Sequence, residues 1–453
     1  MNMTAPSSET ASGLRKRIVG WWAFDWASQP YNTLLLTFIF GPYVNELLGD
    51  GTQAQTAWGY GVGMAGFLIA ISAPFLGAMA DLSGRRMPFI WLFSVMYFVG
   101  AYGLWWAAPG DFNLLVTLIF FAIGLIGMEF ATIFTNAMLP SLGLKEDIGR
   151  ISGSGFAWGY VGGLVALVLM LFFFAESAET GTTLLGIEPI LGLDAEAREG
   201  TRAVGPLTAI WFAIGMIPFF MWVRDTPLPG AVPMGQALRG AMPALIKTLR
   251  RLPSEKPLLA YLVSSMFYRD ALNGMYVFGG IYASGVLGWS VVDVGIFGIL
   301  AILTGAFFSW LGGRADGRFG PKPVIVVNVL LLSFVALAVV FISRESVLGV
   351  PVAEGSALPD IAFYILGAFI GACGGALQSS SRTMLVRQAY PDRMTEAFGL
   401  YALAGKATSF IAPLSIGFVT QMSGSQQVGV VPLVVLFTIG LILLYFVDPE
   451  GRN

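Results

Sequence analysis

Long apolar runs alternate with short polar connections along almost the whole chain. A helix needs about 20 apolar residues to cross the hydrocarbon core of a bilayer, and twelve runs approach or exceed that length. They occupy residues 18–47, 58–80, 88–108, 112–139, 151–175, 203–223, 257–287, 291–313, 323–343, 361–389, 396–420 and 428–447. The pattern predicts an all-α membrane protein with twelve transmembrane helices in two pseudo-symmetric six-helix bundles.

Lysine and arginine concentrate in alternate connections between these runs. The basic clusters lie at 15–17, 85–86, 145–150, 224–256, 314–322 and 387–393. The opposite side carries almost only Arg198, Arg202 and Arg344. Because cytoplasmic loops are enriched in lysine and arginine, both termini are predicted to be cytoplasmic. We therefore expect a multi-pass protein of a bacterial-type inner (plasma) membrane.

The connection between the sixth and seventh runs is the predicted domain boundary. It opens with a helix-breaking stretch, and Leu238, Met242 and Leu249 then recur at helical spacing among basic residues. Such a pattern predicts a helix lying on the inner membrane surface. The predicted domains are a tail at 1–17, a bundle at 18–225, a linker at 226–256, a second bundle at 257–447 and a tail at 448–453.

The composition changes the list of candidate functions. Charged residues make up 11% of the chain and hydrophobic residues 56%, against roughly 25% and 45–50% in soluble domains. The chain has no histidine and a single cysteine, Cys373, so the commonest general base and a zinc–thiolate site are both excluded. We expect no enzyme activity, no cofactor and no metal. Any proton chemistry must use carboxylates.

A loop motif occurs once in each half. Both copies have a glycine, an aspartate four residues later, then another glycine and a cation. Glycine allows two helix ends to approach closely, and an aspartate can accept hydrogen bonds from the N-terminus of a neighbouring helix. The candidate gating residues are Gly77, Asp81, Gly84, Arg85 and Arg86 in the first copy and Gly312, Asp316 and Gly320 in the second. The simpler interpretation of the motif is a basic loop with a helix cap and no gating role. The presence of two symmetric copies makes this interpretation less favourable.

These motifs carry a resemblance to a known family. The segment 77–86 resembles the signature loop of the major facilitator superfamily, and Trp22-Ala-Phe-Asp25-Trp26 resembles the opening of its vacuole-effluxer-like family. Further segments similar to that family are 149–153, 159–163, 378–382 and 398–413. The resemblance implies the major facilitator fold, and its eukaryotic members are linked to export of neutral amino acids. This chain departs from the pattern at Ser28-Gln29-Pro30, where we expect a kink.

Charged residues inside membrane spans usually face a cavity or a partner, because an isolated charge in lipid is costly. The candidate substrate- or proton-binding residues are Asp25, Glu129, Asn136, Arg269, Asp270, Asn273, Gln378 and Lys406. The resemblance implies that spans 1, 4, 7 and 10 line a central cavity. Arg269 and Asp270 point about 100° apart on a helix, so one is expected to reach the cavity and the other a neighbouring helix. Buried structural ion pairs are the alternative.

The leading prediction is a secondary active transporter that moves a small organic solute by alternating access. The resemblance suggests neutral amino acids and the export direction, and the intramembrane carboxylates suggest proton coupling. The expected partners are a small-molecule substrate, the lipid bilayer and protons, with no nucleic acid, and the expected functional state is a monomer. The alternative is a non-transporting membrane sensor or receptor on the same fold, which would need no titrating residues.

Overall fold

A computed structural model describes residues 11–48, 51–225, 230–289 and 291–450. Within these ranges the chain is mostly helical. The α-helices are, in chain order, α1 (Ala11–Pro30), α2 (Phe40–Leu48), α3 (Gly51–Ser83), α4 (Met87–Gly103), α5 (Leu114–Asn136), α6 (Lys145–Leu169), α7 (Glu199–Arg202), α8 (Val204–Gly215), α9 (Ile217–Trp222), α10 (Met234–Arg251), α11 (Lys256–Val286), α12 (Val291–Phe319), α13 (Pro321–Val340), α14 (Leu358–Gln388), α15 (Met394–Ala407), α16 (Ile411–Ser423) and α17 (Val431–Tyr445).

Short irregular elements join these helices. Two segments are π-helical, Tyr31–Phe38 and Met170–Phe174. The 3₁₀ turns are Leu104–Trp106, Leu139–Leu142, Ile190–Gly192, Leu252–Ser254, Pro391–Arg393 and Val428–Val430. The strands β1 (Ser346–Val347) and β2 (Val350–Pro351) form a small antiparallel hairpin between α13 and α14.

Every predicted span is occupied by helix. In the described part of the chain, nine helical segments are long and apolar enough to cross a membrane. The three remaining spans correspond to α1 with its π-helical continuation, to α11, and to the pair α15 and α16. These are the spans that carry Asp25, Arg269 with Asp270, and Lys406. Four of the five charged residues among the predicted site residues therefore lie in spans outside these nine segments.

Prolines account for two interruptions of regular helix. The α-helical conformation of the first span ends at Pro30, within the segment where we expect a kink, and a π-helical segment begins at Tyr31. Span 11 is broken between Ala407 and Ile411, and Pro413 follows at the third position of α16. A proline ring clashes with the carbonyl group four residues earlier, here Ser409, so a continuous helix is disfavoured at that point.

Contacts divide the chain into two compact units. The described residues within Asn2–Met138 and Trp158–Leu238 form one, called here the amino-terminal unit. Leu139–Ala157 and Arg239–Asn453 form the other, called here the carboxy-terminal unit. The first turns of α6 thus pack with the second half of the sequence. The division into two bundles joined by a linker stays a prediction.

The two units repeat the same local packing. In the amino-terminal unit, Tyr31 lies six residues after Asp25, and a Cβ added to Gly124 would lie 2.6 Å from its hydroxyl. In the carboxy-terminal unit, Tyr276 lies six residues after Asp270, and its hydroxyl occupies the space next to Gly374. Each glycine therefore makes room for a tyrosine from the first span of its own unit.

A second repeated contact involves spans 5 and 11. The backbone of Asp25 lies against Gly159, where an added Cβ would be 3.2 Å from its carbonyl oxygen. Gly405 of span 11 instead faces the side chain of Arg269, the residue before Asp270. The internal repeat expected from the sequence motifs is thus visible in the packing around the charged positions.

Many large apolar side chains on the outer faces of the helices are exposed. Leu115, Ile214 and Phe334 are each more than 60% exposed. Apolar surface of this kind is unfavourable in water and favourable in hydrocarbon. The exposed faces therefore fit contact with lipid.

Candidate functional site

The break in span 11 is the centre of the candidate site in the carboxy-terminal unit. Thr408 lies in the break, and its hydroxyl donates to the carbonyl of Ala404 at 3.3 Å. The second piece, α16, begins with free backbone N–H groups, as every helix does. Helix α11 passes the break and presents two adjacent charged residues to it.

Asp270 binds the start of the second piece. Its Oδ2 accepts a hydrogen bond from the backbone N–H of Ala412 at 2.9 Å. The residue is only 2% exposed, and among the described residues its Oδ1 has no hydrogen-bond partner. The positive end of the α16 dipole favours a carboxylate at this position. Asp270 is therefore a buried acid held by one hydrogen bond to a helix N-terminus.

Arg269 binds the first piece. Its Nη1 donates to the carbonyl oxygen of Tyr401 on α15 at 3.0 Å, and the guanidinium carbon lies 3.9 Å from the centroid of the Tyr401 ring. A Cβ added to Gly405 would lie 2.7 Å from Nη2, so only glycine leaves this space open. Both predicted charges of α11 thus contact span 11, one on each side of its break.

The other predicted residues of this unit lie nearby in sequence or on the adjoining helices. Asn273 is exposed, one turn after Asp270 on α11, and Gln378 is half-buried on α14. The backbone of Lys406 belongs to α15, and its side chain lies outside the described residues.

The amino-terminal unit holds the remaining predicted site residues. Asp25 is half-buried on α1 and packs against Gly159 of α6. Glu129 and Asn136 are half-buried on α5, Asn136 at its last position. Helix α1 is fixed against α5 by the indole of Trp21, whose Nε1 donates to the Thr135 carbonyl at 2.8 Å.

The first gating loop connects α3 to α4. The carboxylate of Asp81 accepts from Nη2 of Arg86 at 2.9 Å, and both side chains are less than 10% exposed. Gly84 has a φ of +63°, a left-handed conformation that glycine adopts at no steric cost. Gly77 is buried and Arg85 is exposed.

Asp225, which follows α9, caps the start of α4. Its Oδ1 accepts from the backbone N–H of Arg86 at 2.8 Å and of Met87 at 3.2 Å. We expected an aspartate of the motif to accept hydrogen bonds from the start of a neighbouring helix. In this loop the accepting residue is Asp225, which lies outside the motif.

The second gating loop follows α12. Asp316 is fully buried, and its Oδ1 accepts from the hydroxyl of Ser380 on α14 at 2.7 Å. Its Oδ2 has no hydrogen-bond partner among the described residues. A Cβ added to Gly312 would lie 2.9 Å from the Cβ of Ala376, so α12 and α14 approach closely here. Gly320 has a φ of +81°, beside the guanidinium of Arg387.

The first turns of α6 dock onto this second loop. A Cβ on Gly149 would clash with the Cβ of Asp316, and one on Gly153 would lie 2.7 Å from the Cα of Gly313. At the start of α6, Lys145 pairs with Glu450 at 3.0 Å. That hydrogen bond and the lysine charge hold the pKa of Glu450 below its ordinary value.

Arg382 ties the docked segment to α14. Its Nε donates to the Ser152 hydroxyl at 2.9 Å, and its Nη2 donates to the Ser152 carbonyl at 2.7 Å. The Ser152 hydroxyl in turn donates to the carbonyl of Ser379 at 3.1 Å, and the guanidinium carbon lies 4.3 Å from the Phe156 ring centroid. All the polar groups in this network are buried.

Known families and structures match this architecture. The family model described as vacuole effluxer Atg22 like matches residues 47–452. The chain belongs to the Atg22-like family.

Relatives and solved structures agree with that membership. An uncharacterized MFS-type transporter of Bacillus subtilis, YxiO, is 24% identical over 95% of this chain and 94% of its own length. Autophagy-related protein 22 of Cryptococcus neoformans is 26% identical over 68% of this chain. The match covers 52% of that protein, so the chain aligns with about half the length of its fungal relative.

The fold matches that of major facilitator transporters. The structure of FucP in its outward conformation aligns with a TM-score of 0.70 at 17% identity, covering 97% of this chain and 99% of FucP. The proton:xylose symporter XylE aligns with a TM-score of 0.66 at 13% identity, covering 97% of each chain. This Atg22-like protein is therefore a multi-pass membrane transporter with the major facilitator fold.

Several residues of the Atg22-like site were not predicted as site residues. Ser152, Arg382 and Tyr401 fell within segments that resemble the family, but no single-sequence signal assigned them a contact. The sequence does contain an indication of the break in span 11, because Gly405 and Pro413 lie on either side of it. Ser380 and Asp225 had none, since their partners lie 64 and 139 residues away in the chain.

Proposed function

We propose that this Atg22-like protein is a secondary active carrier that exports a small organic solute by alternating access, coupled to protons. Neutral amino acids are the proposed substrate class. The family description, vacuole effluxer, supports the export direction. The observation that carries the proposal is the pair Arg269 and Asp270, which α11 places on the two sides of the break in span 11.

Interrupted helices are a common way for transporters to bind solutes and ions, because unwound backbone and half-helix ends supply binding groups at the membrane midplane. A neutral amino acid carries one carboxylate and one ammonium group. The guanidinium of Arg269 and the carboxylate of Asp270 offer one group of each opposite sign. We propose that Asp25, Glu129, Asn136, Asn273, Gln378 and Lys406 complete the substrate and proton pathway.

Asp270 is the proposed proton carrier. It is nearly fully buried, and one carboxylate oxygen accepts no hydrogen bond among the described residues. The charged residue beside it on its own helix is Arg269, which turns to Tyr401. The side chain of Lys406 lies outside the described residues. Helix α16 has no charged side chain, and α17 has none either. A proton on Asp270 would remove its charge without moving a neighbouring ion pair.

The two gating loops are proposed to hold the cytoplasmic ends of the spans in one conformation. Asp81 with Arg86, and Asp316 with Ser380, supply buried polar contacts at corresponding places in the repeat. The charge pattern of the connections supports cytoplasmic termini in a bacterial-type inner membrane. We also propose the two-bundle domain division, the surface position of α10 and function as a monomer.

Counterflow in proteoliposomes tests the proposal. Vesicles containing the purified protein and a high internal concentration of one unlabelled neutral amino acid should accumulate that amino acid in labelled form from outside. An imposed pH gradient should change the rate of net flux. Binding of a solute without exchange across the membrane would favour the alternative, a non-transporting sensor or receptor on the same fold.

A further inference from the structure

The guanidinium of Arg269 has more donors than the protein uses. An arginine side chain carries five N–H donors in a planar fork. Among the described residues, Arg269 makes a single hydrogen bond, from Nη1 to the Tyr401 carbonyl. No carboxylate of the described residues lies within salt-bridge distance of it. Its Nε and Nη2 are not among the buried polar atoms that lack a partner, so they reach accessible space in the carboxy-terminal unit.

The surroundings hold this cation in place without neutralising it. The face of the Tyr401 ring lies 3.9 Å from the guanidinium carbon, and Gly405 leaves the space that the guanidinium occupies. The neighbouring Asp270 is directed to the backbone N–H of Ala412. A positioned arginine with an open edge is suited to bind a carboxylate through two parallel hydrogen bonds.

We propose that Arg269 binds the carboxylate of the transported solute through its Nε and Nη2 edge. This inference rests on the proposed carrier function and assigns the recognition of the substrate carboxylate to one side chain. The tie to Tyr401 is a positioning contact, which fixes the plane of the guanidinium. The positive end of α16, already occupied by Asp270, keeps that acid from pairing with Arg269.

Pairs of compounds that differ only in the carboxylate test this inference. The purified full-length protein is melted in detergent with L-leucine or L-leucinamide, and with L-alanine or L-alaninamide. Each acid is expected to raise the melting temperature, while the matching amide is not. Arg269→Gln should weaken binding of the acids about 10-fold or more, as expected for loss of a charge-assisted hydrogen bond. Arg269→Lys should retain part of the shift.

Arg314 provides a matched control. It too lies over a ring of its own unit, 3.5 Å from the centroid of Trp310, and it donates to the Trp310 carbonyl at 3.4 Å. Arg314→Gln should leave the response to acids unchanged. Gly405→Ala serves as a second variant, because its Cβ displaces the guanidinium without removing the charge, and it should lose the preference for acids.

These melting experiments can support or overturn the proposed binding of a carboxylate by Arg269. It is overturned if the amides raise the melting temperature as much as the acids do, if Arg269→Gln keeps the full acid response, or if no compound of either pair has an effect. In any of these cases, counterflow of another solute would still support the carrier. Conversely, acid binding that depends on Arg269 in a protein without exchange would support the inference and refute the carrier function.

Discussion

Arg382 and Ser152 are 230 residues apart in the sequence, yet the arginine donates two hydrogen bonds to this one serine, to its hydroxyl and to its carbonyl oxygen. The serine lies near the start of α6 and the arginine lies on α14. This pair joins two segments that each resemble the family, and it fixes the docking of residues 139–157 in the carboxy-terminal unit.

Removal of the serine hydroxyl should destabilise the protein. In Ser152→Ala, the hydrogen bond from the Nε of Arg382 to the serine hydroxyl is lost in a buried setting, which costs about 1–3 kcal/mol. Thermal unfolding of the purified protein measures the change. Ser333→Ala is the control, because Ser333 bonds only within its own helix, to Val329, and should change stability by no more than about 0.5 kcal/mol. Equal effects of the two substitutions would contradict the assigned role of Ser152.

A disulfide between the same segments should trap the docked conformation. The hydroxyl oxygens of Ser152 and Ser379 are 3.4 Å apart, and Cys373 is the single native thiol. In a Cys373→Ala background, Ser152→Cys with Ser379→Cys should crosslink under mild oxidation. We propose that the docked segment moves in the alternating-access cycle, so oxidation should stop counterflow and reduction should restore it.

The single-cysteine variants should transport under both conditions. Full transport by the crosslinked protein would show that the docked segment stays in place throughout the cycle, and it would contradict the proposed movement.

Gly149 should tolerate no side chain. An added Cβ would meet the Cβ of Asp316 and would lie 3.1 Å from the Gly313 carbonyl, and overpacking of this kind costs about 1–3 kcal/mol. In Gly149→Ala we therefore expect a lower melting temperature. Gly417→Ala is the control, because no atom lies within 4 Å of its added Cβ, and alanine in a helix is favoured over glycine by up to about 1 kcal/mol.

Much of this fold follows from the sequence, because a span of apolar residues is a local property. The prediction of a span at 323–343 agrees with α13 at Pro321–Val340 to within three residues at either end. The break in span 11 was not predicted, since Thr408, Ser409 and Phe410 are no more polar than residues inside intact spans. Pro413 and Gly405 indicated it, but glycine and proline also occur in unbroken transmembrane helices.

The partners of the charged residues could not be predicted. Helix periodicity placed Arg269 and Asp270 on different faces of α11, as the structure shows. It did not reveal that both faces contact pieces of the same span, because that outcome depends on where span 11 breaks. The sequence also marked Asp81 and Asp316 as equivalent, whereas their contacts differ, a salt bridge in one case and a serine hydroxyl in the other.

Substitutions of Asp270 should distinguish its proposed role in proton coupling from its hydrogen bond to the start of α16. Asp270→Asn retains an oxygen that can accept the Ala412 N–H but removes the charge and the titrating group. Counterflow should therefore persist with weaker binding of the substrate, while the response to a pH gradient disappears. Asp270→Ala removes the acceptor as well, and its stability should fall by about 1 kcal/mol as for loss of a helix cap.

Asp360→Asn is the matched control, since Asp360 pairs with Arg344 in the same unit at 2.7 Å and should keep the pH response. A pH response in Asp270→Asn equal to that of the unmodified protein would assign the proton to another carboxylate, and Asp25 and Glu129 would then be tested by the same substitution.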